Sequence, residues 1–143
     1  MLSQTVEYAL RAVVFLAERP GKPHTIQQVA AGTLVPAGYL AKVLMSLAKH
    51  GILASQRGLG GGFTLAHTPE SLTMYSVVQA VDPICRIIEC PLGNPEHSLA
   101  LCPLHKSIDE AAALIEDKFR GITIAKLAEG QPFAHETEPG RGD

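Results

Sequence analysis

Apolar residues recur three and four positions apart at Val6, Leu10, Val13 and Ala17, which predicts a helix over Ser3–Glu18 with one buried face. Arg19-Pro20-Gly21-Lys22-Pro23 ends that helix in a turn rich in breakers. Thr25, followed three residues later by Gln28, has the form of a capping box, so a short helix is expected over Ile26–Ala31, stopping near Gly32. Pro36 suits the first turn of a third helix, which runs to about His50 and stops at Gly51. In it Leu40, Val43, Leu44 and Leu47 form the face to be buried, while Tyr39, Lys42, Ser46 and Lys49 recur on another face that stays exposed. Two helices joined by the short turn Thr33–Val35 make a helix-turn-helix unit.

Ile52–Ser55 and Phe63–Ala66 read as paired strands around Gln56-Arg57-Gly58-Leu59-Gly60-Gly61-Gly62, a β-hairpin of the kind called a wing. Thr73–Val81 is expected to be helical, led in by Pro69 and Ser71 and broken by Asp82-Pro83. Residues 84–103 show no period and contain all three cysteines, with Pro91, Gly93 and Pro95. From Leu104 to about Gly121 a long helix carries Leu104, Ile108, Ala111, Ile115, Phe119 and Ile122 on one stripe, with Asp109, Glu110, Glu116 and Asp117 on the other face. That stripe is too long for a small monomer to cover. Thr123–Glu129 reads as a final short helix, and His135–Asp143 as a polar end that frays. The fold class that follows is mainly α with a small β-hairpin wing. Its expected divisions are a winged helix-turn-helix over 1–66, a cysteine loop and dimerisation helix of the same unit over 67–130, and a flexible tail over 131–143.

Composition narrows the function. A chain of 143 residues with 46% apolar content can bury one moderate core and is not wholly disordered. No stretch approaches the roughly 20 apolar residues of a membrane span. Glu7, Arg11 and Glu18 interrupt the N-terminal segment, unlike an export signal. Three cysteines are too few for a disulfide scaffold, so a reducing, cytoplasmic setting is expected. The net charge of −2 conceals an asymmetry. Residues 1–66 carry six Lys/Arg against two Asp/Glu, a net +4, whereas residues 67–143 carry six against twelve, a net −6. A basic half fits contact with phosphate, and the acidic half must do something else. No nucleophile–base spacing, paired carboxylates or phosphate loop points to an enzyme, since Gly58–Gly62 lacks the lysine and flanking order of such a loop.

The exposed face of the third helix and the wing are therefore read as a surface for double-stranded DNA. Tyr39 and Lys42 lie early in the recognition helix, and Thr25 places a hydroxyl and a positive helix end where phosphate can bind. Arg57 supplies a cation in the wing, and its glycines permit close approach to backbone or minor groove. Cys85, Cys90 and Cys102, with His97 and His105 interleaved, form a donor set suited to iron–sulfur or zinc ligation. Tetrahedral zinc on Cys90, His97, Cys102 and His105 is one alternative to a cluster, and metal-free thiols acting as redox switches are another. A cluster-carrying protein that does not bind DNA is a further reading, but it leaves the wing without a use.

Glu7-Tyr8-Ala9-Leu10-Arg11-Ala12, Tyr39-Leu40 and, most specifically, Arg57-Gly58-Leu59-Gly60-Gly61-Gly62-Phe63 resemble the Rrf2 family of bacterial transcription regulators. The likeness continues through Val77-Val78-Gln79-Ala80-Val81-Asp82 and Thr123-Ile124-Ala125-Lys126-Leu127-Ala128, over roughly residues 1–130. The resemblance implies a homodimeric regulator of a partly palindromic operator, whose long C-terminal helix crosses to the partner. It implies DNA contacts at Thr25, Tyr39, Lys42, Arg57, Gly58, Gly60 and Gly61. It also implies an iron–sulfur cluster on Cys85, Cys90 and Cys102, with His105 or Glu7 as fourth ligand, sensing redox state, iron or nitric oxide. A repressor is the expected form of regulation. Two departures stand out: Pro36-Ala37-Gly38 replaces serines that touch DNA in relatives, and the C-x4-C-x11-C spacing is less even than that of cluster-binding members.

Overall fold

The computed structural model describes residues 2–130; the expected tail over 131–143 lies outside the described residues. Helix α1 (Gln4–Ala17) is capped by Ser3, whose side chain accepts from the Val6 N–H. It is buried more widely than one stripe, because Ala9 and Ala12 are as fully enclosed as Val6 and Val13. Leu10 and Ala17, expected on the buried face, are only half-buried. The small side chains let neighbouring helices approach closely, and α1 accordingly packs against four of them.

Helix α2 (Ile26–Thr33) begins with the complete capping box: the Thr25 hydroxyl accepts from the Gln28 N–H at 3.2 Å, and the Gln28 side chain accepts from the Thr25 N–H at 2.9 Å. It runs two residues beyond the expected end and closes at Leu34, the one non-glycine among the described residues with left-handed backbone, φ 57°. Helix α3 (Ala37–Lys49) follows from Pro36 at its N-cap and buries Leu40, Val43, Leu44 and Leu47 as expected. Each such leucine contributes about 1.5–3 kcal/mol by leaving water.

Strands β1 (Leu53–Gln56) and β2 (Gly62–Leu65) pair antiparallel with Leu53 opposite Leu65 and Gln56 opposite Gly62. Both lie within one residue of the expected ranges. The chain before α2 adds a short third rung: the His24 N–H donates to Phe63 O at 3.1 Å, and the Phe63 N–H donates to His24 O at 2.8 Å. Helix α4 (Met74–Val81) is capped by Thr73 and Ser76. A turn of 3-10 helix at Pro95–His97 is the only regular piece of the segment before α5 (Pro103–Arg120), and α6 (Ile124–Ala128) closes the described chain.

One core runs through both halves, since Leu72, Val77, Ala80 and Ile124 join the α1–α3 residues in a single buried cluster. The lead-ins to α4 and α6 are stitched by backbone bonds, Met74 N–H to Ile122 O and Ile124 N–H to Leu72 O, both 2.8 Å. Helix α5 differs from the rest in burying no residue fully. Ile115, Phe119 and Ile122 at the end of its stripe are half-buried, whereas Leu104, Ile108 and Ala111 are exposed. Among the described residues no single helix is long and apolar enough to cross a membrane.

Candidate DNA interface and cysteine segment

Four cations of the basic half, Lys22, Lys42, Lys49 and Arg57, make no ion pair among the described residues, while Arg11 pairs with Glu7 and Arg19 with Glu18. The unpaired set includes the cations expected at the DNA surface. Tyr39, in the first turn of α3, is 46% exposed and is held by its other edge. Its ring meets Tyr8 edge-on with centroids 5.4 Å apart, and its hydroxyl lies 3.5 Å from Thr5 Oγ1. An aromatic already restrained by its neighbours, with an exposed face, loses little entropy on binding. Lys42 stands one turn further on and is exposed. Ser46, next along this face, is instead turned inward, and its hydroxyl donates to Ala80 O at 3.1 Å. This bond locks the recognition helix to the end of α4, which sequence spacing gave no way to see.

The wing is placed by backbone contacts. The His24–Phe63 rung brings Thr25 and the α2 N-terminus beside the base of the hairpin. Gly62 makes that approach possible: a Cβ there would lie 2.4 Å from the His24 carbonyl. Arg57 leaves β1 into the loop exposed. Gly58 and Gly60 are exposed with φ 94° and 74°, backbone that favours glycine. Gly61 differs from the expected picture because it is buried, its N–H donating to Gly58 O at 3.0 Å. A Cβ on it would sit 2.2 Å from Gln56 O, so this glycine closes the loop instead of offering surface to a ligand.

In the cysteine segment, the structure forms one thiol–imidazole contact. Cys102, the N-cap of α5, has its Sγ 3.3 Å from His105 Nδ1 one turn into the helix. The Cys90 thiol is pushed below its ordinary pKa by the Asn94 backbone N–H first, then by the His97 ring and the Leu92 N–H. Such donors favour the thiolate, which is the metal-binding form. Cys85 stands apart, exposed, with its thiol 3.7 Å from Pro83 O. Glu7, expected as a possible ligand, is exposed and engaged with Arg11, which also reaches Thr33 O at 3.5 Å. The donor chemistry thus fits a thiolate-bound centre, but no three His, Cys, Asp or Glu side chains gather around one point among the described residues. The reason is local: α5 holds Cys102 and His105 together in its own first turn, while Cys90 lies in the loop before the 3-10 turn.

One contact anchors the segment to α5. Arg86 Nε donates to Asp109 Oδ1 at 2.7 Å and Nη2 donates to Oδ2 at 2.8 Å, a two-pronged pair, and the Ile87 N–H adds a third bond at 2.8 Å. These bonds hold the Asp109 carboxyl down at about 2. Residues 23 apart carry no sequence signal of such pairing.

The chain matches the family Rrf2, described as "Iron-dependent Transcriptional regulator", over residues 2–130. It is 36% identical over 113 residues to the HTH-type transcriptional regulator NsrR of Bacillus subtilis, covering 77% of each chain. It is 31% identical over 131 residues to NsrR of Shouchella clausii, covering 88% of this chain and 87% of that protein. Among solved structures it is similar in fold to CymR, the global cysteine regulator of B. subtilis. That likeness has a TM-score of 0.73 at 20% identity over 90% of this chain and 96% of the other. It is equally similar to T. potens IscR, with TM-score 0.73 and 20% identity over 90% of this chain and 86% of that one. A helix-turn-helix with a glycine-rich wing, matched along nearly its whole length by transcriptional regulators, identifies this chain as a member of the Rrf2 family of DNA-binding transcriptional regulators.

Proposed function

We propose that the chain is a cytoplasmic, homodimeric repressor whose hold on its operator depends on the state of the cysteine segment. On this reading α3 enters the major groove with Tyr39 and Lys42 at base edges, and Thr25 with the α2 backbone meets phosphate. Arg57 reaches phosphate or the minor groove, with Gly58 and Gly60 allowing the backbone close. Support for the dimer comes from Leu104, 65% exposed, and Ile108, 48% exposed, on the long amphipathic α5. Ile108 borders an apolar groove of about 380 Å³ between α5 and the start of α1, lined also by Leu2, Val6, Ile84 and Ile115.

Cys85, Cys90 and Cys102 are the residues that would hold an iron–sulfur cluster, with His105 or a Glu7 as fourth donor. When bound, such a cluster supplies iron that responds to redox state, iron supply or nitric oxide. The observation that carries the sensing proposal is the position of the segment between two functional helices. At one end α4 grips the recognition helix through Ser46 and Ala80, and at the other Arg86 and Ile87 grip α5 through Asp109. Order in residues 85–105 therefore bears on both, and a ligand that favours one arrangement shifts DNA affinity by its difference in affinity for the two. A second reading rests on the Cys102–His105 contact and on the buried, unpartnered His97 Nδ1, which with Cys90 make a zinc donor set.

Anaerobic purification of the whole chain, with iron, sulfide and zinc analysis and titration against its own promoter in loaded and stripped forms, tests this. Iron with sulfide and a changed affinity on stripping are expected, with binding that weakens as salt rises. Protein that takes up no iron after anaerobic reconstitution overturns cluster sensing. Zinc without iron selects the second reading. A promoter reporter that rises when the chain is deleted is the expected sign of repression; a fall overturns it.

A further inference from the structure

The tip of the wing carries a side chain that the DNA reading above leaves unused. Leu59 is exposed to 108% of its reference area, more than any other large apolar residue described. Gly58 and Gly60 flank it with φ 94° and 74°, and the Gly61 N–H closes the turn onto Gly58 O at 3.0 Å. Neither flanking glycine has a side chain to shield it, and Gly61 leaves no room for a Cβ beside the Gln56 carbonyl, so the turn below is tightly closed. The wing therefore presents an isolated leucine at its tip, two residues from the exposed cation Arg57.

We propose that Leu59 is an apolar wedge that enters the minor groove beside Arg57 and selects a deformable base step there. The proposal rests on the DNA-binding reading and adds a specificity residue to it. The physical ground is that Arg57 supplies only charge, which any sequence satisfies, whereas a leucine gains only where it leaves water against sugar and base edges. Apolar side chains at minor-groove contacts part-unstack a step, and pyrimidine–purine steps such as TA yield at least cost. The glycines beside it let the backbone follow the side chain into a narrow groove.

Selection of the whole chain against a random duplex pool supplies the probe, and the enriched duplex is then bound by wild type, Leu59→Ala, Leu59→Met and Arg57→Ala. Leu59→Ala is expected to lose roughly tenfold or more in affinity with its salt slope unchanged. Leu59→Met, which keeps apolar reach, retains most of the affinity. Arg57→Ala lowers the salt slope by about one. A 2-aminopurine at the step beneath the wing brightens with wild type and not with Leu59→Ala. Melting temperatures of the Leu59 variants stay at the wild-type value, since the side chain touches nothing in the fold. Enrichment of a sequence that Leu59→Ala binds as wild type does, or an unchanged 2-aminopurine signal, overturns the wedge and leaves DNA binding intact. Failure to enrich any sequence, in loaded and stripped forms alike, overturns the DNA-binding reading and the wedge with it.

Discussion

Arg86 and Asp109 decide how the cysteine segment is held, and they do so with charge instead of burial. The pair is partly solvated, with side chains 41% and 18% exposed, so its importance lies in geometry: two prongs to one carboxylate plus the Ile87 N–H. Glu116 stands 3.7 Å from Arg86 and 3.9 Å from Arg120, extending the network along α5. Asp109 is held at about 2, below the usual carboxylate value near 3.9. A depressed folded value stabilises the native state above the unfolded pKa and ceases to do so as pH falls through the folded one. The expected outcome is an Asp109-dependent loss of thermal stability between about pH 4 and pH 2. Asp109→Asn should be less stable than wild type at neutral pH, flatter across that range, and equal to it at the acid end. Melting curves against pH, together with hydrogen exchange at the Ile87 amide, measure this; identical pH profiles for the two proteins would remove the clamp from the account.

At the scale of elements, the wing and the helix-turn-helix are one unit because a backbone rung joins them. Gly62, with φ 144° and no room for a Cβ beside His24, is the residue on which that rung depends. Gly62→Ala is expected to destabilise the chain by about 2 kcal/mol, through both the forced shift of His24 and the backbone conformation. Urea unfolding gives the number, and a change under about 0.5 kcal/mol would show that the rung yields freely. DNA affinity should fall in the same variant, because Thr25 follows His24 directly and moves with it. Capping signals made these elements legible from spacing alone: Thr25 and Gln28, and the breaks at Gly51 and Asp82-Pro83, act within one turn of the chain. The strand ends fell one residue away from expectation, since a ladder ends where its partner does.

For the whole molecule, the question is what covers α5. A helix with an apolar stripe, no fully buried residue and an open groove beside it suits the proposed dimer contact. Ile108→Asp is expected to convert a dimer into a folded monomer, seen as a halved mass in sedimentation with an unchanged helical spectrum. Operator affinity should drop at least tenfold with it, because two linked half-site contacts become one. A mass unaffected by Ile108→Asp would place the dimer contact elsewhere or remove it.

Local sequence determined the helix-turn-helix, the wing and the amphipathic α5, because caps, breakers and apolar periods operate over a few residues and need no distant partner. It also marked Tyr39, Lys42 and Arg57 as accessible, a property of face and turn position. Only the tertiary structure decided that Gly61 is an internal spacer, that Ser46 is a tie to α4, and that Arg86 meets Asp109. It likewise decided that Cys102 meets His105 while Cys85 stands apart as an exposed thiol. Those outcomes depend on which groups long-range packing brings within about 3 Å, where hydrogen bonds form, and the spacing of residues along a chain carries no record of that distance.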